Sequence, residues 1–402
     1  METVPVVVVG AGQAGLATSR ELGERGIEHV VLERGRVAQT WRGRWDSFCL
    51  VTPNWSVRLP DGGYDGPDPD GFMGRDELVR HVETYAKNVA APVREGVDVL
   101  GLERNDDDFL VRTSDGDIRG ARVVLATGAY QRPHRPAFAT DLPSGVLPLD
   151  VDGYTNPEGL PPGRVLIVGS GQSGCQIAEE LHDAGREVVL SCGRAPWLRR
   201  RFGDRDMFWW ACRNGFIEQP VETLPDPAAR LWANPTATGH GGGRDLHVRL
   251  LSEQGVTLAG RLRGVSGSRA VFAPDLAASV AWGDERYRQF GSMVERCAKE
   301  LGVDVPEIPR PEPFTDPGIE ELDLRGVAAV LFAGGFRPDY RSWLPWADAF
   351  DEHGFPIHRD GESAVVPGLF FVGVHFLRTR KSSLLYGVGE DAAMVAGAVA
   401  AY

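Results

Sequence analysis

Three features that would each define a class of protein are missing from this sequence. The five cysteines are scattered and none forms a C-x-x-C pair, which argues against a disulfide framework, a zinc ribbon or a redox dithiol. No apolar run reaches the roughly 18 residues that span a bilayer, so no membrane segment is predicted. A basic excess is missing as well, because 43 Lys and Arg face 56 Asp and Glu, for a net charge of -13. This charge disfavours a nucleic-acid partner.

The N-terminal segment and the cysteines together predict a cellular compartment. Residues 4–9 have the pattern of a buried strand that leads into a glycine turn, which leaves no room for a secretory signal peptide. Unpaired cysteines are typical of a reducing environment. We therefore expect a cytoplasmic protein that acts on a small molecule and has no metal site.

What the sequence does contain is a long-range internal repeat. The stretch V-V-V-V-G-A-G-Q-A-G at residues 6–15 recurs as V-L-I-V-G-S-G-Q-S-G at residues 165–174. Each copy is a short apolar run followed by glycines and a helical pattern, and a second apolar run follows at 29–32 and 188–190. The repeat therefore predicts two βαβ units.

Both glycine loops have the spacing G-x-G-x-x-G that binds dinucleotides. The first glycine allows a tight turn, the second lets the backbone approach the pyrophosphate, and the third lets the helix pack on the strand. The helix N-terminus then offers free N–H groups to the phosphates. The predicted contacts are Gly10, Gly12, Gln13, Ala14 and Gly15 in the first unit, and Gly169, Gly171, Gln172, Ser173 and Gly174 in the second.

The residues after the second strand differ between the two units and indicate that each unit binds a different cofactor. Glu33 lies roughly 20 residues past the first glycines, where a carboxylate accepts from ribose hydroxyls, which suits FAD. The second unit has no acid at this place. Ser191 and Arg194 stand there and suit a 2′-phosphate, with the arginines at 199–201 adding positive charge. The sequence therefore favours NADPH over NADH in the second unit.

The rest of the chain is less informative. A hairpin with an Asp-Gly turn is predicted within residues 109–126, and a buried strand within 368–373. Residues 200–320 hardly show a pattern. Their aromatic cluster favours a packed core over the wall of a substrate pocket, and its members are Phe202, Phe208, Trp209, Trp210 and Trp232.

The order of these motifs resembles that of the class B flavoprotein monooxygenases, which include flavin-containing monooxygenases, the YUCCA type and the Baeyer–Villiger enzymes. The resemblance covers most of the chain. Beside the two glycine loops it rests on four further motifs: E-R at 33–34 with T-W-R at 40–42, A-T-G-A-Y at 126–130, A-G-G-F-R-P-D at 333–339, and K-S-S-L-L-Y-G-V-G-E-D at 381–391.

The resemblance implies an α/β fold with two Rossmann-like dinucleotide-binding domains, the NADP domain being inserted into the FAD domain. We expect the FAD domain at residues 1–155 and 326–402 and the NADP domain at 156–325. Whether the protein forms a homodimer stays undecided, because the sequence carries no interface signature. Further flavin contacts are expected from Arg34, Thr40, Trp41, Thr127, Gly128, Gly387 and Val388.

The resemblance also implies a reaction. NADPH would reduce FAD, the reduced flavin would react with O₂ to a C4a-(hydro)peroxide, and one oxygen atom would pass to nitrogen or sulfur of a small organic substrate or enter by a Baeyer–Villiger step. Two residues are candidates at the reacting centre. His375 follows the buried strand and is expected beside the flavin, and Asp150 stands where the family fingerprint has a histidine.

The substitution at Asp150 keeps a second enzyme class open. A reductase or dehydrogenase would use the same two dinucleotides without oxygen transfer. Disulfide reductases have the same layout, but they need a paired-cysteine centre that this sequence lacks. A third hypothesis, a redox-responsive protein that binds FAD and NADP without catalysis, has no tail or repeat to support it.

Overall fold

The structure of the chain is a computed structural model that describes residues 1–105 and 107–402. Within this part, no helix is long and apolar enough to cross a bilayer. The helices are α1 (Gln13–Glu24), α2 (Gln39–Arg42), α3 (Arg75–Asn88), α4 (Gln172–Asp183), α5 (Met207–Ala211), α6 (Val248–Gln254), α7 (Leu276–Leu301) and α8 (Val388–Ala400).

The strands alternate with these helices along much of the chain. They are β1 (Glu2–Val9), β2 (His29–Glu33), β3 (Arg58–Leu59), β4 (Gly62–Gly63), β5 (Val93–Glu95), β6 (Val99–Asn105), β7 (Asp108–Thr113), β8 (Ile118–Leu125), β9 (Arg132–Pro133), β10 (Leu147–Asp150), β11 (Arg164–Val168), β12 (Val188–Ser191), β13 (Arg201–Phe202), β14 (Arg205–Asp206), β15 (Thr257–Ala259), β16 (Leu262–Ser266), β17 (Arg269–Phe272), β18 (Glu321–Asp323), β19 (Val327–Phe332), β20 (Phe336–Arg337), β21 (His358–Arg359), β22 (Glu362–Ser363) and β23 (Leu369–Phe371).

The first sheet contains the N-terminal glycine loop. Its parallel part has the order β23-β8-β1-β2-β5, and β6 and β7 extend it through antiparallel pairing. The apolar run of β1 is buried on both faces: Val6 and Val8 pack with residues of α1, α3 and α8, and Val7 and Val9 pack on the opposite side. The predicted hairpin is confirmed as β7-β8, with Gly116 at a φ of +94° in its turn.

The second sheet contains the second glycine loop. All five of its strands are parallel, in the order β10-β19-β11-β12-β15. Strands β10 and β19 belong to this sheet, although both lie outside the range 156–325 that was expected for the second unit. The sequence motifs locate the glycine loop of the second unit, but they do not show which strands form its sheet. That is decided by pairing between residues that lie far apart in sequence.

The chain crosses between the sheets twice, and the two crossings touch. Strands β9 and β20 pair antiparallel, with Pro133 opposite Phe336 and Arg132 opposite Arg337. After the second crossing the chain returns to the first sheet through β21 to β23 and ends in α8, which packs against α1. The α/β fold with one Rossmann-like unit inserted into another is therefore confirmed.

An aromatic core fills the part of the second unit that the sequence hardly predicted. Tyr287 of the 26-residue helix α7 stacks on Trp197 with ring centres 4.3 Å apart. Phe202 and Trp210 are buried in the same cluster, so the packing role is confirmed for both. Phe208 is buried in this cluster as well and also lines a cavity described below, whereas Trp232 is exposed.

Candidate functional site

The first glycine loop joins β1 to α1 at the carboxyl edge of the first sheet. Gly10 has a φ of +106°, and a Cβ there would lie 2.6 Å from the carbonyl oxygen of Ala126, just after β8. A Cβ on Gly15 would overlap the carbonyl oxygen of Gly10, so this glycine lets α1 begin directly against the loop. Gly12 faces open space, because no atom lies within 4 Å of its Cβ position.

The second glycine loop, between β11 and α4, repeats this construction. Gly169 has a φ of +114°, and its Cβ would lie 2.5 Å from the carbonyl oxygen of Ala333, the counterpart of Ala126. A Cβ on Gly174 would overlap the carbonyl oxygen of Gly169. Helices α1 and α4 both begin without a side-chain cap, so their first N–H groups are available to a ligand.

A cavity of about 470 Å³ opens over the first glycine loop, within the size range of ligand pockets. The C-terminal segment adds residues 383–386 to its wall, and Phe208 comes from the second unit. The structure thus brings together many of the predicted flavin-binding residues, namely Gly10, Gly12, Gln13, Ala14, Glu33, Arg34, Thr40, Trp41, Thr127 and Gly128.

The Glu33 carboxylate is buried at the end of β2 and holds the first loop in place. Its Oε2 accepts a hydrogen bond from the N–H of Ala11 at 2.8 Å, and its Oε1 accepts one from Gly35 at 2.9 Å. A carboxylate oxygen can accept more than one hydrogen bond. Glu33 can therefore still accept from a hydroxyl in the cavity that it lines.

The two loop glutamines connect each loop to a neighbouring segment. Gln13 donates from Nε2 to the carbonyl oxygen of Ser383 at 3.2 Å and accepts at Oε1 from the indole N–H of Trp41 at 3.0 Å. Gln172 donates to the carbonyl oxygen of Ala237 and accepts from its N–H at 3.2 Å. These bonds indicate that both side chains position the loops, and Ser173 follows half-buried in the first turn of α4.

Gly387 and Val388 lie next to the cavity and outside its wall. Their N–H groups donate to the carbonyl oxygen of Leu384 at 3.1 and 3.0 Å, which closes a turn before α8. Val388 is also fully buried. The turn directs residues 383–386 toward the cavity, which they line, and the flavin contact predicted for Gly387 and Val388 stays a prediction that their position does not favour.

His375 lies behind the cavity wall. Its Nδ1 is 3.3 Å from Oγ of Ser383, a wall residue. Burial, together with the charges of Arg380 and Arg230, lowers the pKa of His375 to about 4. The imidazole is therefore neutral near neutral pH and reaches the cavity through Ser383.

Of the two residues predicted to bind a 2′-phosphate, only Arg194 is exposed. Ser191 is buried, and its hydroxyl donates to the carbonyl oxygen of Gly260 at 2.9 Å and accepts from the N–H of Leu262 at 3.0 Å. It is thus used inside the fold, where β12 meets the next loop. Arg200 is buried as well, and its ion pair with Asp206 reduces the positive charge expected near residues 199–201.

Asp150 ends β10 and is held by an ion pair. Its Oδ1 accepts from Nε of Arg135 at 2.6 Å, and it lies opposite Phe332 of β19. It does not line the cavity over the first glycine loop. Its predicted catalytic role therefore stays a prediction, which this position does not favour.

Arg44 is one of several wall residues that sequence reasoning missed as ligand contacts, and Phe208 is a wall residue for which it favoured a packing role. Arg44 belongs to the motif T-W-R-G-R-W that begins at Thr40, so its closeness to Trp41 was the available signal. Phe208 reaches the wall from α5 of the second unit, and no local pattern shows such a contact.

Comparisons with known proteins agree with this geometry. The pyridine nucleotide-disulphide oxidoreductase family matches residues 7–205. The "Uncharacterized oxidoreductase CzcO-like" of Geobacillus kaustophilus is 30% identical, with 97% of this chain and 96% of that protein covered. The indole-3-pyruvate monooxygenase YUCCA4 of Oryza sativa subsp. japonica is 25% identical, with 87% and 78% covered. The chain belongs to the class B flavoprotein monooxygenase family.

A solved structure of this family has the same fold. The flavin-containing monooxygenase from Stenotrophomonas maltophilia matches with a TM-score of 0.71 at 21% identity, covering 100% of this chain and 99% of that chain. This match shows the fold, and the curated relatives named above confirm the predicted family and the predicted enzyme class, a flavin-dependent oxidoreductase. The expected cofactors, FAD and NADPH, agree with membership of this family.

Proposed function

We propose that this class B flavoprotein monooxygenase consumes NADPH and inserts one oxygen atom from O₂ into a small organic substrate, by N- or S-oxygenation or a Baeyer–Villiger reaction. The observation that carries the proposal is the pair of glycine loops built by the same rule, the first of which opens on a cavity. Residues from both units line that cavity, as a reaction between two bound dinucleotides requires.

The residues over the first glycine loop fit FAD. Gly12 leaves the space in which a pyrophosphate would lie, and the uncapped start of α1 supplies N–H donors for it. Glu33 offers an acceptor for a ribose hydroxyl. Apolar side chains at Leu384 and Leu385 would exclude water from the flavin side. When bound, FAD supplies the redox chemistry between NADPH and O₂.

The second unit would hold the nicotinamide dinucleotide. The start of α4 offers the same donors, and Gln172 keeps the loop attached to Ala237. Arg194 is exposed and has no hydrogen-bond or ion-pair partner in the described ranges, so its guanidinium is available to a 2′-phosphate. From the sheet pairing we propose limits of 147–332 for this unit, with 1–146 and 333–402 forming the FAD unit.

The position of Asp150 supports a second candidate function, an FAD- and NADPH-dependent reductase without oxygen transfer. The residue replaces the histidine of the family fingerprint and pairs with Arg135 away from the cavity. A disulfide reductase is the least favoured form of this alternative, because all five cysteines are free and four of them are buried.

Anaerobic stopped-flow measurements with NADPH and NADH, followed by turnover under ¹⁸O₂, separate the two functions. Flavin reduction and one ¹⁸O atom in the product of an amine, sulfide or ketone would support oxygen transfer. Flavin reduction with peroxide release and unlabelled substrates would support the reductase. If neither nucleotide reduces the flavin, the assignment of the second glycine loop is wrong.

The preference for NADPH has its own test. Because a charged hydrogen bond contributes about 1.5–3 kcal/mol, Arg194→Gln should raise KM for NADPH by roughly tenfold or more. KM for NADH should stay unchanged, since NADH lacks the 2′-phosphate. An equal change for both nucleotides would contradict the assignment.

A further inference from the structure

Arg44 is a half-buried arginine of the cavity wall whose guanidinium has no polar partner among residues 1–105 and 107–402. Its Nε is buried without a hydrogen bond. Two aromatic rings lie against it, with the guanidinium carbon 5.0 Å from the ring centre of Tyr130 and 5.8 Å from that of Phe48. Burial lowers the pKa of Arg44, against the opposing effects of Tyr130 and Asp152.

This lack of partners is unusual within the chain. A guanidinium has five N–H donors. Removing some of them from water without giving them a hydrogen-bond acceptor costs free energy. Several other buried or half-buried arginines are paired with a carboxylate, and Arg380 donates instead to Oε1 of Gln219 at 2.6 Å. The carboxylate pairs are Arg42 with Glu83, Arg75 with Asp46, Arg200 with Asp206, Arg249 with Asp284 and Arg378 with Asp391.

The backbone on both sides of Arg44 is fixed where the two units meet. Its carbonyl oxygen accepts from Nη1 of Arg75 at 3.2 Å. Trp45 is buried in the core of the second unit, and the N–H of Asp46 donates to the carbonyl oxygen of Thr155 at 2.8 Å. The same stretch of cavity wall includes the first connector, residues 128–131. The first glycine loop lines the same cavity, so a ligand that extends from this loop through the cavity would share its space with this charge.

We propose that Arg44 binds a phosphate group of a dinucleotide in the cleft between the two units. The inference rests on the proposed function, because it requires FAD or NADPH as the ligand. A phosphate can accept two parallel hydrogen bonds from a guanidinium, while the Tyr130 ring packs on the guanidinium face. Both dinucleotides carry a pyrophosphate, so the experiment has to tell the two sources apart.

The test uses Arg44→Gln and Arg44→Lys in the full chain. The matched control is Arg42→Gln, in the same segment, because Arg42 is paired with Glu83 and does not line the cavity. The dissociation constant of FAD is measured by fluorescence titration of deflavinated protein. That of NADP⁺ is measured by difference absorbance of the flavin-loaded protein. Thermal unfolding of each variant reports on folding.

We expect Arg44→Gln to weaken binding of FAD, of NADP⁺ or of both by roughly tenfold or more, and Arg44→Lys to weaken it less because it keeps the charge. The ligand affected identifies the source of the phosphate. Arg42→Gln should change both constants by less than about twofold.

Two results would overturn the assignment of Arg44. The first is an Arg44→Gln variant that binds both dinucleotides like the wild type. The second is an equal loss in Arg44→Gln and Arg42→Gln, which would trace the effect to folding of the segment. Failure of the proposed function is distinct from both results. Wild-type protein that binds both dinucleotides but transfers no ¹⁸O refutes the oxygenase function and leaves the Arg44 titrations valid, whereas wild-type protein that binds neither dinucleotide overturns the premise of the inference itself.

Discussion

Replacing Glu33 by glutamine tests how the first glycine loop is held and how it binds FAD. The carboxylate accepts from Ala11 at 2.8 Å and from Gly35 at 2.9 Å, and glutamine retains only one acceptor oxygen. One N–H group then faces an amide NH₂, and the negative charge is lost. Because hydrogen bonds to charged groups contribute about 1.5–3 kcal/mol, we expect FAD to bind roughly 10- to 150-fold more weakly.

The neighbouring strand provides a control for this experiment. Glu95 lies opposite Glu33 in the β2-β5 pair and accepts from the N–H of Val37 at 2.7 Å, but it does not line the cavity. Fluorescence titration of deflavinated protein should therefore show a large loss for Glu33→Gln and little change for Glu95→Gln. A loss below about threefold for Glu33→Gln, or equal losses in both variants, would refute the role of Glu33.

Three further predictions concern the loops and the histidines. Gly15→Ala should abolish FAD retention after purification, because its Cβ would overlap the carbonyl oxygen of Gly10. The control Gly23→Ala should retain FAD, since no atom lies near its Cβ position. It should also stabilise α1 by about 0.5–1 kcal/mol in thermal unfolding. Burial lowers the pKa of His247 from 6.5 to about 4, so the unfolded state binds the proton first as pH falls below about 6.5. Stability should therefore decrease from pH 6.5 to 4, and His247→Asn should reduce this slope in unfolding curves; an unchanged slope would contradict the shift. The pKa of His375 is also lowered to about 4, so the rate of flavin reduction should show no histidine-dependent break between pH 6 and 8, and His375→Gln should give a profile of the same shape.

The glycine loops and Glu33 could be predicted from the sequence because their rules are local. A strand, a turn that tolerates only glycine and a helix start lie within ten residues, and Glu33 ends the next strand of the same unit. The predicted order of motifs was correct for the same reason. The two glycine loops and the motifs at 33–34, 126–130 and 333–339 each mark the carboxyl end of a strand, and parallel strands place these ends on one edge of a sheet.

Features that depend on contacts between residues far apart in sequence could not be predicted from local motifs. Ser191 has the right residue type at the right spacing, but Gly260 and Leu262 occupy its hydroxyl. Strand β10 could not be assigned to the second sheet before its partner β19 was known, because the two lie far apart in sequence. The lack of partners around Arg44 is likewise a property of the folded chain, since every arginine looks the same in a sequence.

The return of the chain to the first sheet has a consequence for synthesis. Strand β23 pairs with β8, and α8 packs against α1, so the first unit is completed by residues that are synthesised after the whole inserted unit. During synthesis of the inserted unit, the apolar side chains of β1 and α1 that later pack with β23 and α8 stay exposed to solvent. Such exposed surface promotes aggregation of nascent chains. A defect in α8 would therefore appear first as a low yield of folded protein from the cell, before any change in catalysis could be measured.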